Sequence, residues 1–137
     1  MINENEYSII SSLPLFDGLE RSILEGLLEH SQPRSFGKGE MLFHRGDPAD
    51  CFYILFDGWV KVFRETANGD EAVLGVFTRG ETVAEAAAFL GRGYPASAQV
   101  VDDAHVLPVL SGPFRRNLEA IPDVAMNMLA SMSKRMH

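Results

Sequence analysis

Phe52-Tyr-Ile-Leu-Phe-Asp-Gly-Trp-Val-Lys-Val-Phe-Arg-Glu-Thr-Ala-Asn-Gly-Asp-Glu-Ala-Val-Leu-Gly-Val-Phe-Thr-Arg-Gly80 is the stretch that decides the fold. Runs rich in aromatic and β-branched residues, Phe52–Phe56, Trp59–Arg64 and Ala72–Phe77, alternate with Asp57-Gly58, Asn68-Gly69 and Arg79-Gly80. Such runs read as strands, and Asn-Gly between two of them is the strongest short hairpin signal. The same rhythm extends outward through Gly39, Gly46, Gly58, Gly69 and Gly80. Glycine turns a chain through positive φ without steric cost, so this ladder marks tight turns between short strands. With Met41–Phe43, Ser97–Val101 and His105–Val109, the runs predict an antiparallel β-roll of jelly-roll or double-stranded β-helix type over residues 37–110. About eight short strands accommodate them. Pro108 lacks a ladder donor and is placed at an edge or irregular position.

Helices flank and interrupt the roll, giving a mainly β fold with flanking α. Residues 1–14 read as an N-terminal arm and residues 15–36 as helical. Asp17-Gly-Leu-Glu20 resembles a capping box, with Leu19, Ile23, Leu24, Leu27 and Leu28 on one face and Pro33 and Gly37 as terminators. Ala84–Leu90 breaks the strand rhythm with alanines after Glu85, which predicts a short helix. Ser111 opens another helix with Pro113 in its first turn. A last helix is expected from Pro122-Asp123 to the end of residues 111–137. Its Val124, Met128, Met132 and Met136 recur at every fourth position, so the helix is expected to continue beyond His137.

With 137 residues the chain forms one domain. A formal net charge of −7 without a Lys/Arg-rich run gives no electrostatic footprint for a phosphate backbone. Cys51 is the single cysteine, which excludes an internal disulfide and a four-cysteine iron–sulfur cluster. No signal peptide and no apolar run of about 18 residues is present, so a cytoplasmic protein without membrane contact is expected. His30, His44, His105 and His137 share no metal-ligand spacing, although any one of them could serve as an axial haem ligand. Glu85 has no nucleophile or base at a spacing that makes it catalytic, and no enzyme or metal site is expected.

Seven short motifs in order carry a resemblance: Leu13-Pro-Leu-Phe16, Lys38-Gly-Glu40, His44-Arg-Gly-Asp-Pro48, Phe52-Tyr-Ile-Leu55, Asp57-Gly-Trp-Val-Lys-Val62, Asn68-Gly-Asp-Glu71 and Arg79-Gly-Glu81. Over roughly residues 13–137 the chain resembles the cyclic-nucleotide-binding-domain superfamily, and within it the sensor domains of Crp/Fnr-type bacterial transcription regulators. The resemblance implies a phosphate-binding cassette, a C-terminal helix that makes a homodimer, and DNA contact only through a helix-turn-helix domain absent from this chain. In members that bind cyclic AMP, the cassette is a Gly-Glu-aliphatic triplet followed about ten residues later by Arg-Ser/Thr-Ala. Backbone N–H groups cradle the phosphate, arginine neutralises it, and glutamate accepts from the ribose.

Carried over residue by residue, the effector-binding positions are Ala84, Glu85 and Ala86, then Ala96 and Ser97. Glu85 and Ser97 match, whereas Ala84 replaces the glycine and Ala96 the arginine. Losing a charge-assisted phosphate contact costs roughly 1.5–3 kcal/mol, on the order of tenfold to hundredfold in affinity, which disfavours cyclic AMP and cyclic GMP. Arg92, four positions before Ala96, is a candidate replacement. The segments Ala84–Phe89, Tyr94–Gln99 and Leu129–His137 are similar to the haem-dependent, nitric-oxide-responsive regulators of denitrification. That likeness implies a small-molecule or gas effector, with haem or another apolar ligand between roll and dimer helix. A stand-alone cyclic-nucleotide-binding regulatory module and a cupin-type enzyme are the alternative readings.

Overall fold

The computed structural model describes residues 1–122, 125–126 and 129–130. The first helix, α1 (Glu4–Ser11), lies where the sequence reading placed an arm. Its start is a true capping box: Asn3 Oδ1 accepts from the Glu6 N–H at 2.8 Å, and Glu6 Oε1 accepts from the Asn3 N–H at 2.9 Å. A 3-10 turn at Pro14–Phe16 leads to α2 (Arg21–Leu27). There the expected cap at Asp17 is not used; Glu20 is the N-cap and its side chain makes no capping bond.

Six strands follow: β1 (Arg34–Phe36), β2 (Met41–Phe43), β3 (Cys51–Glu65), β4 (Glu71–Phe77), β5 (Thr82–Val83) and β6 (Ser97–Leu110). All pair antiparallel along the path β1-β6-β3-β4, with β2 also on β6 and β5 also on β3, and the path stays open. The expected β-roll with flanking helices is present, but two pairs of short strands are fused. Phe52–Phe56 and Trp59–Arg64 are one strand of 15 residues, and Ser97–Val101 and His105–Val109 are one of 14. Gly58 is the reason. It bends β3 at φ +87° without ending it, and the β3–β6 register shifts between Leu55 and Val60 around it. All five rungs of the glycine ladder have positive φ. Pro108 pairs with Tyr53 on β3, while the β1 pairing on its other flank ends at Val106, so its missing N–H faces an open edge.

The run Phe52–Phe56 is apolar throughout because β3 is buried there on both faces. Alternate residues go to different cores. Phe52, Ile54 and Phe56, with Leu107 and Val109 of β6, pack against Ile9, Ile10, Phe16, Leu24 and Leu28 and against Phe114 of α4 (Ser111–Glu119). Tyr53, Leu55 and Val60, with Ala98, Val100 and Val106, fill the roll interior together with Phe43 and Tyr94. A polar clasp adds to the first core. Glu6 is 6 % exposed and its carboxyl lies 2.7 Å from His105 Nε2 on β6, while His105 Nδ1 lies 3.1 Å from Ser35 Oγ on β1. The expected last helix is helical at Pro122 and at positions 125–126 and 129–130. Val124, Met128, Met132, Met136 and His137 lie outside the described residues.

Candidate functional site

The short helix expected inside the roll is α3, Glu85–Leu90. β5 delivers its N-terminus by pairing with Tyr53 and Ile54 of β3. Ala84 is the N-cap with φ +70° and ψ +18°, the one non-glycine residue of positive φ among the described residues. The departure from the glycine of the cassette pattern therefore falls at a position whose backbone is left-handed. An L-residue with a Cβ there carries roughly 1–2 kcal/mol of strain. Ala84→Gly is expected to raise the unfolding free energy by about 0.5–1 kcal/mol, the relief net of the extra freedom glycine gains when unfolded. Urea denaturation checks this, and a fall in stability would show that the position does not need a left-handed residue.

Glu85 is half-buried in the first turn of α3, and among the described residues its carboxylate has no hydrogen-bond or ion-pair partner; Ala86 is exposed. On the other side, Ala96 is 2 % exposed, and half-buried Ser97 accepts through Oγ from the Arg45 N–H at 2.9 Å. Ala84 and Ala87 from one motif and Ala98 beside the other pack into the same interior cluster. The α3 segment and the strand that begins at Ser97 thus border the same interior core. The connecting loop is pinned to the β2–β3 turn: Gly93 bridges Pro48, the Tyr94 N–H donates to Asp47 O and the Gly46 N–H to Tyr94 O, both at 2.9 Å.

Arg92 does not join the site. It lies beyond the C-terminal end of α3, about 9 Å of helix from Glu85. There it lines a groove of about 480 Å³ with Asp50, Ser111, Gly112 and Arg115. A different arginine is at the cassette. Arg64, near the end of β3, donates from Nε to the carbonyl oxygen of Pro95 at 2.9 Å, at the peptide that leads into Ala96. Sequence reasoning missed it because the contact spans 31 residues and depends on the β3–β6 register, which no local motif announces.

Inside the roll, the Tyr94 ring stacks on Phe43 with centroids 3.7 Å apart, and its hydroxyl donates to Cys51 O at 2.6 Å. Burial, above all, raises the Tyr94 phenol and the Cys51 thiol above their ordinary ranges, with Asp50 adding to the shift at both. The thiol is therefore protonated at neutral pH and a poor nucleophile.

Among the described residues no histidine is both buried and unengaged. The side chains of His30 and His44 are 60 % and 68 % exposed, beside Glu29 and Asp47, and both ring nitrogens of His105 are engaged by Glu6 and Ser35. His137 lies outside the described residues.

Residues 33–120 match the cyclic nucleotide-binding domain family, and the chain belongs to that family. Within it the similarity is to Crp/Fnr-type regulators. The cyclic AMP receptor protein of Thermus thermophilus is 28 % identical over 123 residues, covering 90 % of this chain and 57 % of that protein. The crystal structure of DNR from Pseudomonas aeruginosa superposes with a TM-score of 0.89 at 32 % identity, covering 100 % of this chain and 61 % of that one. The sensor domain of the transcriptional regulator DNR gives 0.82 at 34 % identity, covering 95 % of this chain and 87 % of that domain. The chain therefore spans about three fifths of the full-length relatives. No helix among the described residues is long and apolar enough to cross a membrane.

Proposed function

We propose that the chain is the effector-sensing domain of a Crp/Fnr-family transcription regulator, not an enzyme, in which cyclic nucleotide binding is weakened. One observation carries the reading: the described fold coincides over nearly its whole length with a domain that is the sensor of a transcriptional regulator. The weakening rests on the cassette itself, where a strained alanine caps α3 and a buried alanine stands in place of the phosphate-binding arginine. The effector is a small molecule or gas, and the domain works as a homodimer through its C-terminal helix. Effector entry at the cassette shifts α3 and the roll relative to that helix, and a dimer with two packings passes the shift to a DNA-binding domain. Such a device needs differential affinity of the effector for the two packings, not chemistry at the site.

The natural gene product is expected to sediment as a dimer. Its affinity for promoter DNA is expected to change at least about tenfold when effector is added, within the usual size of allosteric coupling. A strictly monomeric product whose DNA binding is indifferent to cyclic AMP, cyclic GMP and haem-bound gas would contradict the proposal.

A further inference from the structure

We infer that Arg64, reaching across from β3, supplies the cation of the altered cassette, so that the site grips an anionic group, a phosphodiester or a carboxylate, of its effector. The inference rests on reading α3 and residues 95–97 as the effector cassette. Val62 pairs with Ala98 and Phe63 with Ser97, the last pair of the ladder, so Arg64 comes one residue beyond it and meets the bend at residues 95–96. The arginine missing from position 96 therefore has a counterpart, Arg64 of the neighbouring strand, whose Nε–H donates to the carbonyl oxygen of Pro95 at 2.9 Å.

The Nε–Pro95 bond anchors the Arg64 guanidinium and leaves both Nη groups free to donate. Among the described residues no carboxylate pairs with it. A further donor is close in sequence to this point: the Ser97 hydroxyl accepts from the Arg45 N–H and keeps its own hydrogen for a ligand. A guanidinium held by one bond and offering a two-donor fork suits a bidentate oxyanion. Its exposure to solvent makes it a weaker grip than an arginine enclosed at position 96.

The purified protein is titrated with cyclic AMP, as the phosphodiester probe, and with haemin, as the carboxylate probe. At least one is expected to bind saturably. Arg64→Ala is expected to weaken that probe about tenfold and to flatten the dependence of affinity on salt. Arg64→Lys is expected to fall between, keeping the charge without the fork, and Arg92→Ala to bind as the parent does. Which probe responds identifies the anionic group. Binding unchanged in Arg64→Ala but weakened in Glu85→Gln and Ser97→Ala overturns the role of Arg64 while keeping the cassette. Binding indifferent to all three overturns the cassette reading as well. Saturable binding of neither probe overturns the inference, and so does a loss confined to Arg92→Ala.

Discussion

Gly58→Ala is expected to unfold the domain, or to lower its unfolding free energy by more than about 3 kcal/mol, the range reserved for severe mechanisms. A Cβ at this position would stand 2.3 Å from the carbonyl oxygen of Asp103, 2.6 Å from Cα of Ala104 and 2.8 Å from the carbonyl oxygen of Asp102. All three atoms are backbone of β6, so no side-chain rotation relieves the clash. The two long strands would have to separate where their register shifts, at the centre of the sheet. Gly69→Ala is the control. Its φ is +84° but nothing lies within 4 Å of its Cβ position, so only the left-handed penalty applies, about 1–2 kcal/mol. Urea melts of the two variants give the comparison. Equal losses would mean that the close approach of β3 to β6 at Gly58 does not exist in solution.

The second large effect is expected from Phe114→Ala, a loss of about 3–5 kcal/mol. Phe114 is 1 % exposed. Its ring meets Phe52 edge-on at 5.2 Å, Phe16 edge-on at 6.1 Å and Phe89 stacked at 5.8 Å, so one side chain of α4 joins β3, the turn after α1 and the cassette helix. Calorimetry or urea denaturation measures the loss. Hydrogen exchange adds a second reading: amides of α3 should exchange faster in Phe114→Ala, which removes the ring stacked on Phe89 of α3, than in a variant equally destabilised at Leu24 or Leu28 of the same core. Uniform acceleration would show that α3 does not depend on this contact.

Local chemistry made most of the roll legible. Asn68-Gly69 is indeed the turn between β3 and β4, and Gly80 the bend before β5, because each conformation is set by residues in immediate sequence. Strand length was not legible. Asp57-Gly58 has the composition of a turn, and only the approach of β6 shows that the chain passes through it extended. The helix α1 carried its signal in Asn3 and Glu6, but its apolar contribution is the adjacent pair Ile9 and Ile10, too short a pattern to establish a face. Around the candidate cassette, the sequence anticipated the short helix after Ala84 and the strand that begins at Ser97. It did not show that Ala84 is left-handed, nor that Arg64 rather than Arg92 lies beside Ala96. Both depend on pairings between segments far apart along the chain, where spacing carries no information.

The clasp between Glu6 and His105 joins positions 99 residues apart. During synthesis, which proceeds at about 5–20 residues per second, α1 has neither its polar partner nor Leu107, Val109 and Phe114 to rest on until nearly the whole domain has emerged. Only Phe16, Leu24 and Leu28, and later Phe52, Ile54 and Phe56, can cover its apolar residues in that interval, and closing so distant a contact slows folding further. Nascent chains arrested before residue 105 should therefore leave the N-terminal segment open to proteases and chaperones, and release past that point should protect it.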